Sequence, residues 1–184
     1  MKTKKLILLV FCVLFSFIGA KAQTYYYNTR KTFNESGYTY QCDVNSGSLE
    51  VNLYNKSNQF TYIMPKYKNG TPLPAGYWDK NVHLLEVEKW QRPLCNSIVN
   101  NAFSSAEKQR VKGIKLMVTM YINPDNGRVA EVKFWFLTDD PYATIPVSVY
   151  RTIETNLKNQ IWFTPTAEGK KFNYVMRFWR HEVK

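Results

Sequence analysis

Ile114, Leu116, Val118, Met120 and Ile122 fall on every second residue. That period places all five side chains on one face of an extended strand. Asn123-Pro124-Asp125-Asn126-Gly127 follows and reads as a hairpin turn, because an Asn-Gly pair tolerates positive φ cheaply. A calcium loop would need oxygen ligands at alternating positions and a closing Glu, which this turn lacks. Val132, Phe134 and Phe136 form the returning face. A hairpin with one apolar face must lay that face on another layer. The next segment supplies it: a helix near Pro146 to Asn159 collects Val149, Tyr150, Ile153 and Leu157 on one side. Ser148, Arg151, Glu154 and Lys158 face away, with Glu154 and Lys158 spaced as a favourable ion pair. A Gly turn at Glu168-Gly169-Lys170 leads to a last strand from about Lys171 to Arg180. Phe172, Tyr174, Met176 and Phe178 make one of its faces, and Val175 and Trp179 the other.

Upstream, residues 23–80 have a different texture. Nine of the 13 tyrosines lie between Tyr25 and Tyr77. Tyr38 to Cys42, Leu49 to Leu53 and Phe60 to Met64 read as short strands, separated by Asn-, Gly- and Ser-rich turns. The expected arrangement is an antiparallel β-meander. Val82 to Trp90 alternates roughly and reads as one more strand. Pro93, Leu94, Ile98, Val99 and Phe103 suit a short helix with proline in its first turn. The fold class is therefore α+β, in three parts: a leader over 1–22, a Tyr-rich β-meander over 23–80, and an α+β domain over 81–184.

The leader fixes an address. Lys2, Lys4 and Lys5 precede an apolar run from Leu6 to Gly19, and Ala20-Lys21-Ala22 supplies the small residues that a signal peptidase reads. The run is too short to span a bilayer, which takes about 20 apolar residues. Cys12 lies inside the run, whereas a lipid-attachment cysteine would follow small residues at its end. Cleavage before Gln23 lowers the net charge from +11 to +7. The mature protein is then expected in the periplasm or outside the cell, with no membrane-spanning segment. In that compartment nucleic acid is a poor partner; the cations either solvate the surface or meet an acidic protein face or anionic polymer.

Export leaves two cysteines, Cys42 and Cys95, either bridged as a disulfide or buried as free thiols. No catalytic residue, cofactor site or metal site is expected. The chain lacks a nucleophile elbow, a phosphate-binding Gly loop, a His-Glu-x-x-His pair and paired-Cys spacing. His83 sits in an apolar run and reads as structural. Asp139-Asp140 precede Pro141, a turn setting; catalysis would need a pocket gathering them with Glu86, Glu88 or a histidine.

Taken together, residues 111–182 resemble the TonB C-terminal domain. The residues that carry the likeness are Asp125-Asn126-Gly127-Arg128-Val129, then Ile161-Trp162-Phe163-Thr164-Pro165, Gly169 and Phe178. The chain as a whole also resembles a family of uncharacterised exported bacterial proteins. The TonB likeness implies a ββαβ unit whose final strand lies at a sheet edge and pairs with a partner strand. The candidate partner edge is Phe172, Tyr174, Val175, Arg177 and Trp179. Energy-transducing TonB carries a retained membrane anchor and a Pro-rich linker, both missing here, so energy transduction is not implied. The expected function is a non-enzymatic binding or assembly role in the envelope. The alternative is a secreted structural protein or a carbohydrate-binding module that uses surface tyrosines.

Overall fold

The structure is a computed structural model that describes residues 24–45 and 47–184. The leader and the expected cleavage site lie outside the described residues. Six strands form one antiparallel sheet: β1 (Lys31–Glu35), β2 (Tyr38–Asn45), β3 (Glu50–Asn55), β4 (Lys115–Ile122), β5 (Val129–Leu137) and β6 (Val175–Glu182). Their spatial order is β1-β2-β3-β5-β4-β6. The meander is β1 to β3, and β3 pairs directly with β5, so the Tyr-rich segment and the C-terminal segment share one sheet.

One face of that sheet is the core. Tyr40, Cys42, Val51 and Leu53 continue the buried rows of Leu116, Val118, Met120, Val132, Phe134 and Phe136. Two helices cover it: α1 (Gln91–Ala102) and α3 (Val147–Gln160), with the short α2 (Ser105–Val111) between them in sequence. Val149, Tyr150, Ile153 and Leu157 of α3 point inward as their spacing predicts. The Tyr150 ring stacks on Phe136 with centroids 5.5 Å apart. Glu154 is also buried; it accepts from the Tyr40 hydroxyl and lies 3.6 Å from Lys158 Nζ. α2 begins with a capping box between Ser104 and Glu107, which satisfies backbone donors that would otherwise be orphaned.

Several expected elements differ. Phe60 to Met64 is a loop rather than a strand, because the buried Glu131 carboxylate takes the Gln59 and Phe60 N–H groups at 2.6 and 2.9 Å. The loop crosses the second sheet face, where Phe60 packs beside Tyr121 and Tyr174. Val82 to Trp90 contributes a single bridge, Leu85 to Pro165. The β4–β5 turn spans residues 123–128, with left-handed geometry at Gly127 only. A Cβ at Gly127 would lie 1.8 Å from the Phe163 carbonyl oxygen, so glycine is required by close approach as well as by φ. Cys42 and Cys95 are both free and buried, so no disulfide bridges them. Burial pushes each thiol up to about 12, which keeps it protonated at neutral pH.

Candidate partner-binding edge

β6 is an edge strand. It pairs with β4 from Val175 opposite Ile122 to Glu182 opposite Lys115, and among the described residues no strand lies on its other side. Immediately before it, the edge is closed by the protein itself. Tyr67 bridges Phe172, the Lys68 N–H donates to the Lys171 carbonyl at 2.8 Å, and the Asn173 N–H donates to the Lys66 carbonyl at 2.9 Å. The Tyr174 hydroxyl donates to the Ile63 carbonyl. From Val175 onward this internal pairing stops.

The edge faces a built wall. Residues 83–86 are stitched to 164–166: Glu86 N–H to the Thr164 carbonyl at 2.9 Å, Thr166 N–H to the Leu84 carbonyl at 3.1 Å, and the Thr166 hydroxyl to the His83 carbonyl at 2.8 Å. Gly169 permits this closeness, since a Cβ there would sit 2.0 Å from the Leu84 oxygen. Between wall and strand lies a cavity of about 500 Å³, lined by Trp78, Val82, Val87, Met176 and Phe178 among others. Trp78 is 55% exposed, Val87 86% and Phe178 55%, large apolar surfaces that ordinary folding would bury. A second cavity of about 450 Å³ adjoins the first at Val87 and Arg177 and adds Glu86, Lys89, Arg92 and Trp179. The Arg177 guanidinium stands between the two; its Nε is buried with no protein partner, and burial lowers its pKa.

The sequence-derived edge residues divide. Arg177 and Trp179 line the groove, Tyr174 is buried but borders the first cavity, and Phe172 is buried in the closed part. Phe172 packs under Tyr67 and Tyr77, and Tyr174 against Phe60 and Tyr121. Val175 is buried toward the helices, although its flank reaches the first cavity. The face assignment holds within the strand: Tyr174 packs on Tyr121, which pairs with Met176, so Tyr174, Met176 and Phe178 share one sheet face while Val175 and Trp179 lie toward the core. Tyr174 and Val175 are both buried because each face is covered there, and Met176 and Phe178 are exposed beyond that cover. Those two residues and the Trp78–Val87 wall were missed as site residues. Only the period-two pair Met176 and Phe178 carried a signal in sequence.

The other candidates are engaged elsewhere. The Asp140 carboxylate accepts from the Leu137 N–H at 2.9 Å and serves a turn. Among the described residues, no group of three or more His, Cys, Asp or Glu side chains could hold a metal ion. Of the exposed tyrosines, Tyr38 carries the Arg151 guanidinium 3.4 Å above its ring, and the Tyr62 hydroxyl donates to Asp43 at 2.8 Å. No helix among the described residues is long and apolar enough to cross a membrane.

A family of proteins sharing a domain of unknown function, DUF5043, matches residues 23–179. The chain belongs to the DUF5043 family. A crystal structure of a DUF5043 family protein from Bacteroides uniformis is 41% identical, with a TM-score of 0.80, covering 87% of this chain and 95% of that one. No curated protein matches. The DUF5043 match takes in the Tyr-rich meander together with the first five residues of β6, 175–179, so kinship extends well beyond the β4–β5–α3–β6 segment.

Proposed function

We propose that this DUF5043 protein is an exported, non-enzymatic binding or assembly protein of the bacterial envelope, which adds an extended partner segment to the open edge of β6. The observation that carries this reading is the abrupt change at Val175: internal pairing ends there, and an apolar groove runs beside the strand that follows. A free edge presents unpaired N–H and C=O groups that an extended peptide can satisfy, while groove side chains select it. The chain order β4, β5, α3, β6 with the last strand outermost is what the likeness to the TonB C-terminal domain in sequence implies, and it supports the same use. So does the basic, apolar leader sequence, which addresses the chain to the envelope. A non-enzymatic role agrees with the protonated thiols and with the turn-forming duty of Asp140.

A photo-crosslinking residue placed at Phe178 in the producing cell tests this directly. It is expected to yield a discrete protein adduct, whereas the same residue at Asn34, on the opposite edge strand, yields none. Adducts at Asn34 with none at Phe178 would remove β6 from consideration.

A further inference from the structure

The groove beside β6 changes character along its length. At the start of the strand its lining is apolar, with Trp78, Val82, Val87, Met176 and Phe178. Its middle is mixed, and Glu88 there is committed: its carboxylate accepts from Trp90 Nε1–H at 2.5 Å and from the Thr164 hydroxyl at 2.6 Å. Beyond it a third cavity, about 440 Å³, adjoins at Arg92 and Asn96. That cavity is lined by Arg92, Lys115, Arg180 and Lys184, with Glu182 as its one acidic side chain. None of these four cations takes part in an ion pair among the described residues. The apolar end and the unpaired cationic end are therefore joined by one continuous strip of open β6 edge.

We infer that the segment received by β6 is acidic at one end and apolar at the other, and that it runs antiparallel to β6 with its acidic residues first. This rests on the edge-binding reading above and specifies the partner's chemistry. Charge complementarity sets the acidic end, because four cationic side chains facing one acidic side chain attract a negative segment and steer its approach. Exposed Phe178, Met176 and Val87 set the apolar end, where alternate partner side chains would be removed from water. The direction follows from the sheet, in which every pairing is antiparallel. β6 runs from the apolar end to the basic end, so an antiparallel partner meets the basic end with its N-terminal half.

The probe is a fluorescent peptide of four acidic residues followed by a Thr-Val repeat, titrated against the protein by anisotropy. Three relatives accompany it: the reversed order, a version with Ser in place of the acids, and polyglutamate alone. The acid-first peptide is expected to bind about tenfold more tightly than the reversed or Ser-substituted peptide, with an advantage that shrinks as salt rises. Arg180→Glu combined with Lys184→Glu removes that advantage and leaves the Ser-substituted peptide unaffected. Phe178→Asp, at an exposed position, removes binding of all the Thr-Val peptides while circular dichroism stays unchanged. If the acid-first, reversed and Ser-substituted peptides bind equally and Phe178→Asp abolishes all three, the inferred chemistry is wrong and the edge reading stands. If no Thr-Val peptide binds, or binding survives Phe178→Asp, the edge reading itself is overturned. Polyglutamate binding as tightly as the acid-first peptide overturns the inference in favour of a general polyanion surface.

Discussion

The sheet has two edges, and they are finished differently. β1 has five residues, Lys-Thr-Phe-Asn-Glu, and its only apolar member turns inward, where Phe33 packs 5.1 Å from the Tyr27 ring. The exposed side chains are Thr32 and Asn34, and Asn34 also accepts from the Thr39 hydroxyl. A short, polar, internally anchored edge discourages pairing with other chains. β6 has eight residues, carries Met176 and Phe178 outward, and lies beside an apolar groove whose far wall is held in place by its own hydrogen bonds. Arg177, Arg180 and Glu182 are the charged guards on that strand. The contrast teaches that edge exposure alone does not mark a binding strand; the discriminating features are strand length, outward apolar residues and a pre-built opposing wall.

The largest expected effect tests the core that both edges share. Leu157 is fully buried beneath α3, so Leu157→Ala should destabilise the protein by about 2–5 kcal/mol in chemical denaturation. Both edges should be lost in the same transition, whereas a separate early loss of β1 would show that the meander is an independent unit. Next is the support under β6. His181 is buried on the helix side, its Nδ1 2.8 Å from Asn96 Oδ1, and burial, with help from the Arg92 cation, lowers its pKa to about 4. The folded protein then stays neutral at this position while the unfolded chain takes up a proton below about pH 6.5. Stability therefore falls as pH drops from about 6.5 to about 4, by up to about 3 kcal/mol, and this contribution is flat above that window. His181→Gln should remove that part of the slope in denaturation curves measured across the window.

A smaller effect probes the anchor of β1. The Tyr27 hydroxyl donates to the Ile145 carbonyl at 2.9 Å in a buried setting, so Tyr27→Phe should cost about 1–2 kcal/mol. It should leave peptide binding at β6 unchanged. The smallest stability effect belongs to Phe178→Ala, which removes an outward ring and should stay within about 0.5 kcal/mol of the parent protein. A larger loss would mean that Phe178 serves folding, and the two edges would then differ less than their surfaces indicate.

Much of this fold is visible in the sequence because local pattern and tertiary demand agree. The β4–β5 hairpin, the α3 face of Val149, Ile153 and Leu157, and the β2–β3 pair all carry an apolar period that one buried face explains. The α2 capping box at Ser104 and Glu107 was readable too, but its seven residues hold too little apolar periodicity to stand out. β1 was hidden because a polar edge strand has no apolar alternation to show. The segment from Phe60 to Met64 has strand composition yet forms a loop, since Glu131, about seventy residues away, satisfies its backbone donors. The candidate site was half legible for a similar reason. Arg177 and Trp179 follow from the final strand, but the wall at Trp78 to Val87 is positioned by residues 164–166 and by Gly169, contacts that sequence proximity does not reveal.

Backbone amide hydrogen exchange, resolved by residue and measured with and without the acid-first peptide, compares the two edges in one experiment. In the free protein the outward amides of Val175–Glu182 and of Lys31–Glu35 should both exchange readily, as unpaired edge groups do. With peptide bound, protection should rise at alternate residues of β6, the pattern of one added strand, while β1 stays unchanged. Protection appearing at β1, or peptide binding with no protection anywhere along β6, would contradict the claim that β6 is the edge built to receive a partner.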